Sequence, residues 1–100
     1  MSDFELAPKA LLDLEGIIGE TADRRGAAAA YELEGRLIEG CERLAETPGM
    51  GHLRQDLTSR PQLFYLVQPF FIVYVRGTDP LRIVAIVHSA RNLRRLLKGR

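Results

Sequence analysis

The chain has 100 residues, 46% of them apolar and 27% charged, which is enough for one hydrophobic core and too few for two. Its longest apolar run, at positions 70–75, and the run at 83–87 are far shorter than the roughly 20 residues of a transmembrane helix. Asp3 and Glu5 stand where a signal peptide would place bases before an apolar stretch, so we expect no signal peptide. These features predict a single cytoplasmic domain over residues 1–100.

The net charge of +1 conceals an uneven distribution of charge along the chain. Residues 1–50 carry eleven acidic and five basic side chains, a formal charge of −6. Residues 51–100 carry two acidic and nine basic side chains, a formal charge of +7. Such an asymmetry indicates charged partners. Broad nucleic-acid binding is not favoured, because the total charge is low and aromatic residues do not interleave with the cations.

The first half of the chain predicts a short strand followed by two helices. Phe4 and Leu6 alternate with a glutamate, which is typical of a strand. Apolar residues recur at helical spacing over residues 9–23, and a turn follows at residues 24–26. A longer helix over residues 27–46 ends at Thr47-Pro48-Gly49. Its apolar stripe consists of Ala30, Leu33, Leu37, Cys41 and Leu44.

The second half of the chain predicts a sheet and a last helix. After a polar loop over residues 49–60, strands are expected at 63–67, 70–76 and 82–88, because these runs are rich in Val, Ile, Phe and Tyr and are separated by turns. The strands are apolar on both faces, so we expect both faces to be covered in part. Ser89 is the predicted N-cap of a basic helix that ends near Lys98. The fold class is therefore α+β: an N-terminal strand, an antiparallel helical hairpin, a three-stranded antiparallel sheet and a short C-terminal helix.

Four segments carry a resemblance to a known family. They are Ala7-Pro8-Lys9-Ala10 with Asp13-Leu14 and Ile17; Arg43-Leu44-Ala45-Glu46-Thr47-Pro48-Gly49; Pro48-Gly49-Met50-Gly51-His52-Leu53-Arg54-Gln55-Asp56-Leu57-Thr58-Ser59-Arg60-Pro61; and Ile83-Val84-Ala85-Ile86-Val87-His88-Ser89-Ala90-Arg91-Asn92-Leu93. In this order they resemble ParE-type toxins of the RelE/ParE superfamily. The resemblance implies the toxin of a bacterial type II toxin–antitoxin system, which arrests growth and is neutralised by a cognate antitoxin in a hetero-oligomer. Operator DNA would then be contacted only through the antitoxin.

The resemblance leaves the mode of action open between two classes. ParE-type members poison DNA gyrase, whereas RelE-type members cleave messenger RNA on the ribosome. RNA cleavage requires acid–base groups and cations that stabilise charge on phosphate. Members that cleave RNA usually carry an arginine where this chain has Phe71, three residues before Tyr74, and a tyrosine near the C-terminus. We therefore expect a gyrase-directed toxin that acts by binding, with RelE-type messenger RNA cleavage as the alternative.

A second departure leaves a third interpretation open. Many ParE-type members carry an arginine where this chain has Ala85, and an aspartate where it has Asn92. With Phe71, these replacements are also compatible with a degenerate, non-toxic member that acts as a binding module.

The predicted contact residues form two groups. Candidate target contacts are the cations and the histidine of the basic half: Arg76, Arg82, His88, Arg91, Arg94 and Arg95. Candidate antitoxin contacts are apolar residues suited to a helix in a groove or to strand addition: Leu11, Ile17, Tyr31, Leu33, Leu93 and Leu97.

Simpler roles remain open for several of these residues. His88 could instead fix the turn after the last strand by a hydrogen bond to the backbone, and Arg91 could pair with Asp56. Cys41 is expected to be a small buried apolar residue. No catalytic residue, cofactor, metal ion, small-molecule substrate or membrane contact is predicted, because two histidines in the chain do not supply a metal site and no nucleophile–base pair stands out.

Overall fold

In a computed structural model, which describes residues 3–100, a helical hairpin packs on one face of a five-stranded mixed sheet. The elements are β1 (Phe4–Leu6), α1 (Pro8–Arg25), α2 (Ala27–Glu46), a 3-10 turn (Pro48–Met50), β2 (His52–Leu53), β3 (Gln62–Val67), β4 (Phe70–Val75), β5 (Leu81–His88) and α3 (Leu93–Leu96). The sheet order is β1-β5-β4-β3-β2, with β1 parallel to β5 and the other pairs antiparallel. The predicted α+β class is confirmed. The parallel pairing of β1 and the strand β2 were not predicted.

The helical hairpin turns at Gly26, whose φ of +95° lies in the region that favours glycine. Its N–H donates to the carbonyl of Ala22 and so ends α1, while its own carbonyl accepts the N–H of Ala30 in α2. The predicted apolar stripe of α2 faces the sheet, with Leu37, Cys41 and Leu44 fully buried. The hairpin is therefore fixed to the sheet by burial of this stripe together with Ala10 and Leu14 of α1.

The sheet buries apolar residues on both faces, as predicted. On the first face Ile72, Tyr74 and Ile83 pack against the hairpin, and on the second face Val73 and Ala85 lie under the C-terminal segment. The register shifts between these residues, since Val73 pairs with Ala85 whereas Tyr74 pairs with Ile83. This β-bulge adds a residue to β5 and places two consecutive side chains, those of Val84 and Ala85, in the second cluster.

The C-terminal helix differs from its prediction. It spans only Leu93–Leu96, and its N-cap is Asn92, whose Oδ1 accepts from the N–H of Arg95 at 3.3 Å; the expected cap at Ser89 is wrong. The reason is a turn at the end of β5, where the carbonyl of His88 accepts the N–H of Arg91 at 3.0 Å and delays the helix.

The short helix also corrects two of the predicted antitoxin contacts. Leu93 and Leu97 are only 4% and 2% exposed, because they pack on the second face of the sheet together with Phe64, Val73 and Val87. They are core residues in this fold and not part of an open surface.

An ion pair covers the part of the β5 edge that β1 does not reach. The pairing of β1 with β5 ends at Leu6 and Ile83. Beyond it, the N–H of Ile86 donates to Asp13 Oδ2 of α1 at 3.0 Å, and the guanidinium of Arg100 donates to the carbonyl of Val84 at 3.4 Å. The carboxylate and the guanidinium therefore meet backbone groups that a longer β1 would have paired.

The same two side chains bind each other. The guanidinium of Arg100 donates to both carboxylate oxygens of Asp13, with 3.1 Å between Nη2 and Oδ1, and the side chains are 12% and 18% exposed. The carbonyl of Arg100 also accepts the side-chain amide of Gln62 in β3 at 2.8 Å. This bidentate pair consequently connects α1, β5 and β3.

Replacing Asp13 tests this connection. Asp13→Asn keeps an acceptor for the N–H of Ile86 but leaves the mostly buried guanidinium of Arg100 without a counter-charge, so we expect the free energy of unfolding to fall by about 2–3 kcal/mol. Glu5→Gln is the matched control, because the pair of Glu5 with Arg82 is half exposed and should contribute less than about 1 kcal/mol. Urea denaturation followed by circular dichroism measures both values. Equal losses in the two variants would contradict the account.

Candidate functional site

Tyr74 of β4 fixes the loop that follows the hairpin. Its buried hydroxyl donates to the carbonyl of Pro48 at 2.6 Å and accepts the N–H of Gly51 at 2.9 Å. Burial raises the pKa of the Tyr74 phenol, so the hydroxyl keeps the proton that it donates. The Tyr74 hydroxyl thus binds the run Pro48-Gly49-Met50-Gly51, part of a segment that resembles ParE-type toxins, to the sheet.

The loop then places Arg54 over the second face of the sheet. The guanidinium lies 5.8 Å from the centre of the Phe71 ring and donates to both oxygens of Asp56, at 3.0 and 2.9 Å. Arg54 thereby lowers the pKa of the Asp56 carboxyl. Arg94 donates from Nε to the carbonyl of Asp56 at 2.7 Å, and this joins α3 to the loop. Of the two roles left open for Arg91, pairing with Asp56 is not seen, since Arg54 binds the Asp56 carboxylate and Arg91 forms no ion pair within residues 3–100.

A groove runs between α1 and the end of β5. It has a volume of about 410 Å³ and an apolar floor that includes Ile17, Phe70 and Ile86. His88 and Arg91 line its other side. The remaining residues that line it are Leu12, Asp13, Gly16, Glu20, Thr21, Arg24, Arg25, Val87 and Leu96. The groove therefore combines an apolar floor with the edge of a strand.

The charges around the groove are predominantly positive. Its two acids are already engaged, since Asp13 binds Arg100 and Glu20 lies 3.5 Å from Arg24. Arg25 and Arg91 form no ion pair within residues 3–100. A bound group that complements this rim is anionic.

His88 has a structural role at the mouth of the groove. Its Nδ1 accepts the N–H of Ala90 at 3.0 Å, and its ring meets the Phe70 ring edge-on with 5.3 Å between centres. The predicted hydrogen bond to the backbone is confirmed, and it fixes the turn that carries Arg91.

The structure brings three of the twelve predicted contact residues together: Ile17, His88 and Arg91 line the groove. The other cations are dispersed: Arg76 is exposed beyond β4, Arg82 binds Glu5, Arg94 binds the loop and Arg95 is exposed on α3. The other apolar candidates lie on the hairpin, where Leu11 is 45% and Tyr31 80% exposed and Leu33 is partly buried against the first cluster.

Two contacts of this site were not predicted from the sequence. They are the place of Arg54 beside Phe71 and the pairing of Asp13 with Arg100. The available signal for Arg54 was its position two residues before Asp56, which allows the bidentate contact seen here.

The single cysteine, Cys41, is buried in the structure. Burial raises the pKa of the Cys41 thiol to about 12, so the group stays protonated and unreactive at neutral pH. No group of three or more His, Cys, Asp and Glu side chains in residues 3–100 is arranged to hold a metal ion. In the part of the chain that the structure describes, none of the helices combines the length and apolarity that a membrane span requires.

A helical hairpin followed in the chain by a mixed sheet of five strands is consistent with a ParE-like fold. The family model described as the ParE toxin of the type II toxin–antitoxin system, parDE, matches residues 4–93. The chain belongs to this ParE toxin family, which confirms the predicted resemblance.

One solved structure supports the fold independently. The structure titled "Chromosomal ParDE TA system from P. aeruginosa" is similar to this chain with a TM-score of 0.72 and 19% sequence identity, over 88% of this chain and 96% of that one. No curated protein matches the chain.

Two glycines of the loop provide a test of the Tyr74 contact. A Cβ added at Gly51 would lie 2.5 Å from the Tyr74 hydroxyl, whereas one added at Gly49 would lie 3.8 Å from the nearest atom, at the tip of Arg76. We expect Gly51→Ala to lower the free energy of unfolding by about 2–3 kcal/mol, from overpacking and a weakened hydrogen bond. Gly49→Ala should change it by less than about 0.5 kcal/mol. Thermal and urea unfolding would refute the contact if the two variants were equally stable.

Proposed function

We propose that this chain is the toxin of a two-protein system in the bacterial cytoplasm, where it arrests growth by binding DNA gyrase and is neutralised by its antitoxin in a hetero-oligomer. Membership of the ParE toxin family supports the role as a toxin. Action by binding, without catalysis, is supported above all by the second face of the sheet. Related toxins that cleave RNA usually carry an arginine where this chain has Phe71, and here that ring packs against the apolar cluster that contains Val73, Ala85 and Leu93.

The polar groups around that face are engaged in structural contacts. The guanidinium of Arg54, which lies over Phe71, is neutralised by Asp56, and Arg94 donates to a carbonyl. The Tyr74 hydroxyl makes two hydrogen bonds to the backbone. Phosphate chemistry requires cations and an acid–base group directed at the reacting atoms, and these groups are directed at the protein itself.

The proposed gyrase contacts lie on the basic half of the chain. Of the candidates Arg76, Arg82, His88, Arg91, Arg94 and Arg95, three are exposed, and their side chains form neither an ion pair nor a hydrogen bond within residues 3–100: Arg76, Arg91 and Arg95. Exposed cations increase the rate and the specificity with which an acidic surface is bound. Operator DNA is contacted through the antitoxin in this proposal, and no cofactor takes part.

Supercoiling by purified gyrase tests the proposed target. We expect the purified chain to inhibit the enzyme and an equimolar amount of antitoxin to restore it. The double variant Arg76→Ala with Arg95→Ala should inhibit at least about tenfold less well, because it removes two exposed cations of the contact surface. Arg36→Ala with Arg43→Ala, on the helical hairpin, is the control with the same change of charge and should inhibit normally.

Two outcomes would count against this function, and a third would count against its contact residues. Unaffected gyrase together with site-specific cleavage of translated messages would assign the chain to the RNA-cleaving class. Harmless expression at high level would identify a non-toxic binding module. Equal inhibition by the two double variants would exclude Arg76 and Arg95 as contacts.

A further inference from the structure

The outer edge of β5 is left open at its end. In an antiparallel pair the N–H and C=O of one residue point to the same side, and successive residues alternate between the two sides. The N–H of Ile86 donates to Asp13, so Ile86 faces away from β4, and His88, two residues on, faces the same way. The carbonyl of His88 accepts the N–H of Arg91. The carbonyl of Ile86 and the N–H of His88 have no hydrogen-bond partner within residues 3–100.

This acceptor and donor are spaced for a parallel strand. One residue of a parallel neighbour donates its N–H to residue i and accepts from the N–H of residue i+2. Ile86 and His88 stand in this relation, and β1 is parallel to β5 on the same edge. An added segment would therefore continue the line of β1 beyond the Asp13–Arg100 pair.

The groove next to this edge favours a particular chemistry. Leu12 and Leu96, on its two sides, are 66% and 41% exposed, so apolar side chains of an occupant would find partners there. Arg25 and Arg91, which form no ion pair within residues 3–100, would meet acidic side chains. The edge, the apolar walls and the charge together fit an extended acidic polypeptide segment that carries some apolar residues.

We propose that this groove binds an extended acidic segment of the antitoxin, which adds to β5 as a parallel strand at residues 86–88. The inference depends on the proposed function for the existence of the antitoxin, and it adds the place and the mode of binding. His88 and Arg91 then contact the antitoxin, which covers part of the basic half of the chain.

Replacement of the outward N–H tests the strand addition. His88→Pro removes this donor and no hydrogen bond to β4, since the N–H faces away from that strand; His88→Ala, the control, loses the imidazole but keeps the N–H. The probe is the antitoxin encoded beside this chain, titrated by calorimetry into each variant after thermal unfolding has shown that both fold. We expect its affinity for His88→Pro to be at least about tenfold below that for His88→Ala.

A charge reversal tests the groove independently and does not depend on the proline variant folding. Arg91→Glu, in the groove, should lower the affinity at least about tenfold and reduce its dependence on salt, whereas Arg76→Glu, outside it, should do neither.

Three results would overturn this proposal. Equal affinities within each pair of variants would place the antitoxin elsewhere, although inhibition of gyrase and its relief would leave the proposed function intact. A second copy of the chain would be the occupant if the wild type self-associated and His88→Pro abolished that association. Failure of the wild type to bind the antitoxin would refute the paired function itself, and the docking with it.

Discussion

The outer edge of β5 imposes the constraint on which the rest of this structure depends. A central strand needs partners on both sides, but β1 is only three residues long and reaches no further than Ile83. The carboxylate of Asp13 and the guanidinium of Arg100 cover the next backbone groups, and Arg100 also holds Gln62 of β3. One ion pair thus takes the hydrogen bonds that a longer β1 would have made, and it connects α1 with β5 and β3. Because both side chains are mostly buried, removing either charge should lower the free energy of unfolding.

The two faces of the sheet have different roles in this account. The first face carries the hairpin and uses Tyr74 to hold the following loop, so the polar atom of that tyrosine is unavailable for chemistry. The second face is closed by Phe71, Ala85 and the leucines of the C-terminal segment. The second face therefore presents packed apolar side chains, and the proposed function assigns binding to the exposed cations and to the open edge of β5.

Local patterns predicted the elements well, and long-range pairings could not be predicted from them. The helical stripe of α2 and the strands β3, β4 and β5 follow from apolar periodicity and turn residues. Asp13 and Arg100 lie 87 positions apart, so no spacing connects them. The cap at Asn92 could not be predicted because the turn after His88 depends on the tertiary position of β5. The apolar strands predict that the second face is covered, but they do not identify Leu93 as one of the residues that cover it.

In the chain without a partner, the edge of β5 is closed at Ile86 and open at His88. Native-state hydrogen exchange, read by NMR at single amides, tests this claim directly because it reports the opening of individual hydrogen bonds. We expect the Ile86 amide to exchange with the slow core amides and the His88 amide to exchange at least about a hundredfold faster. Similar rates at the two amides, or fast exchange at Ile86, would contradict this claim.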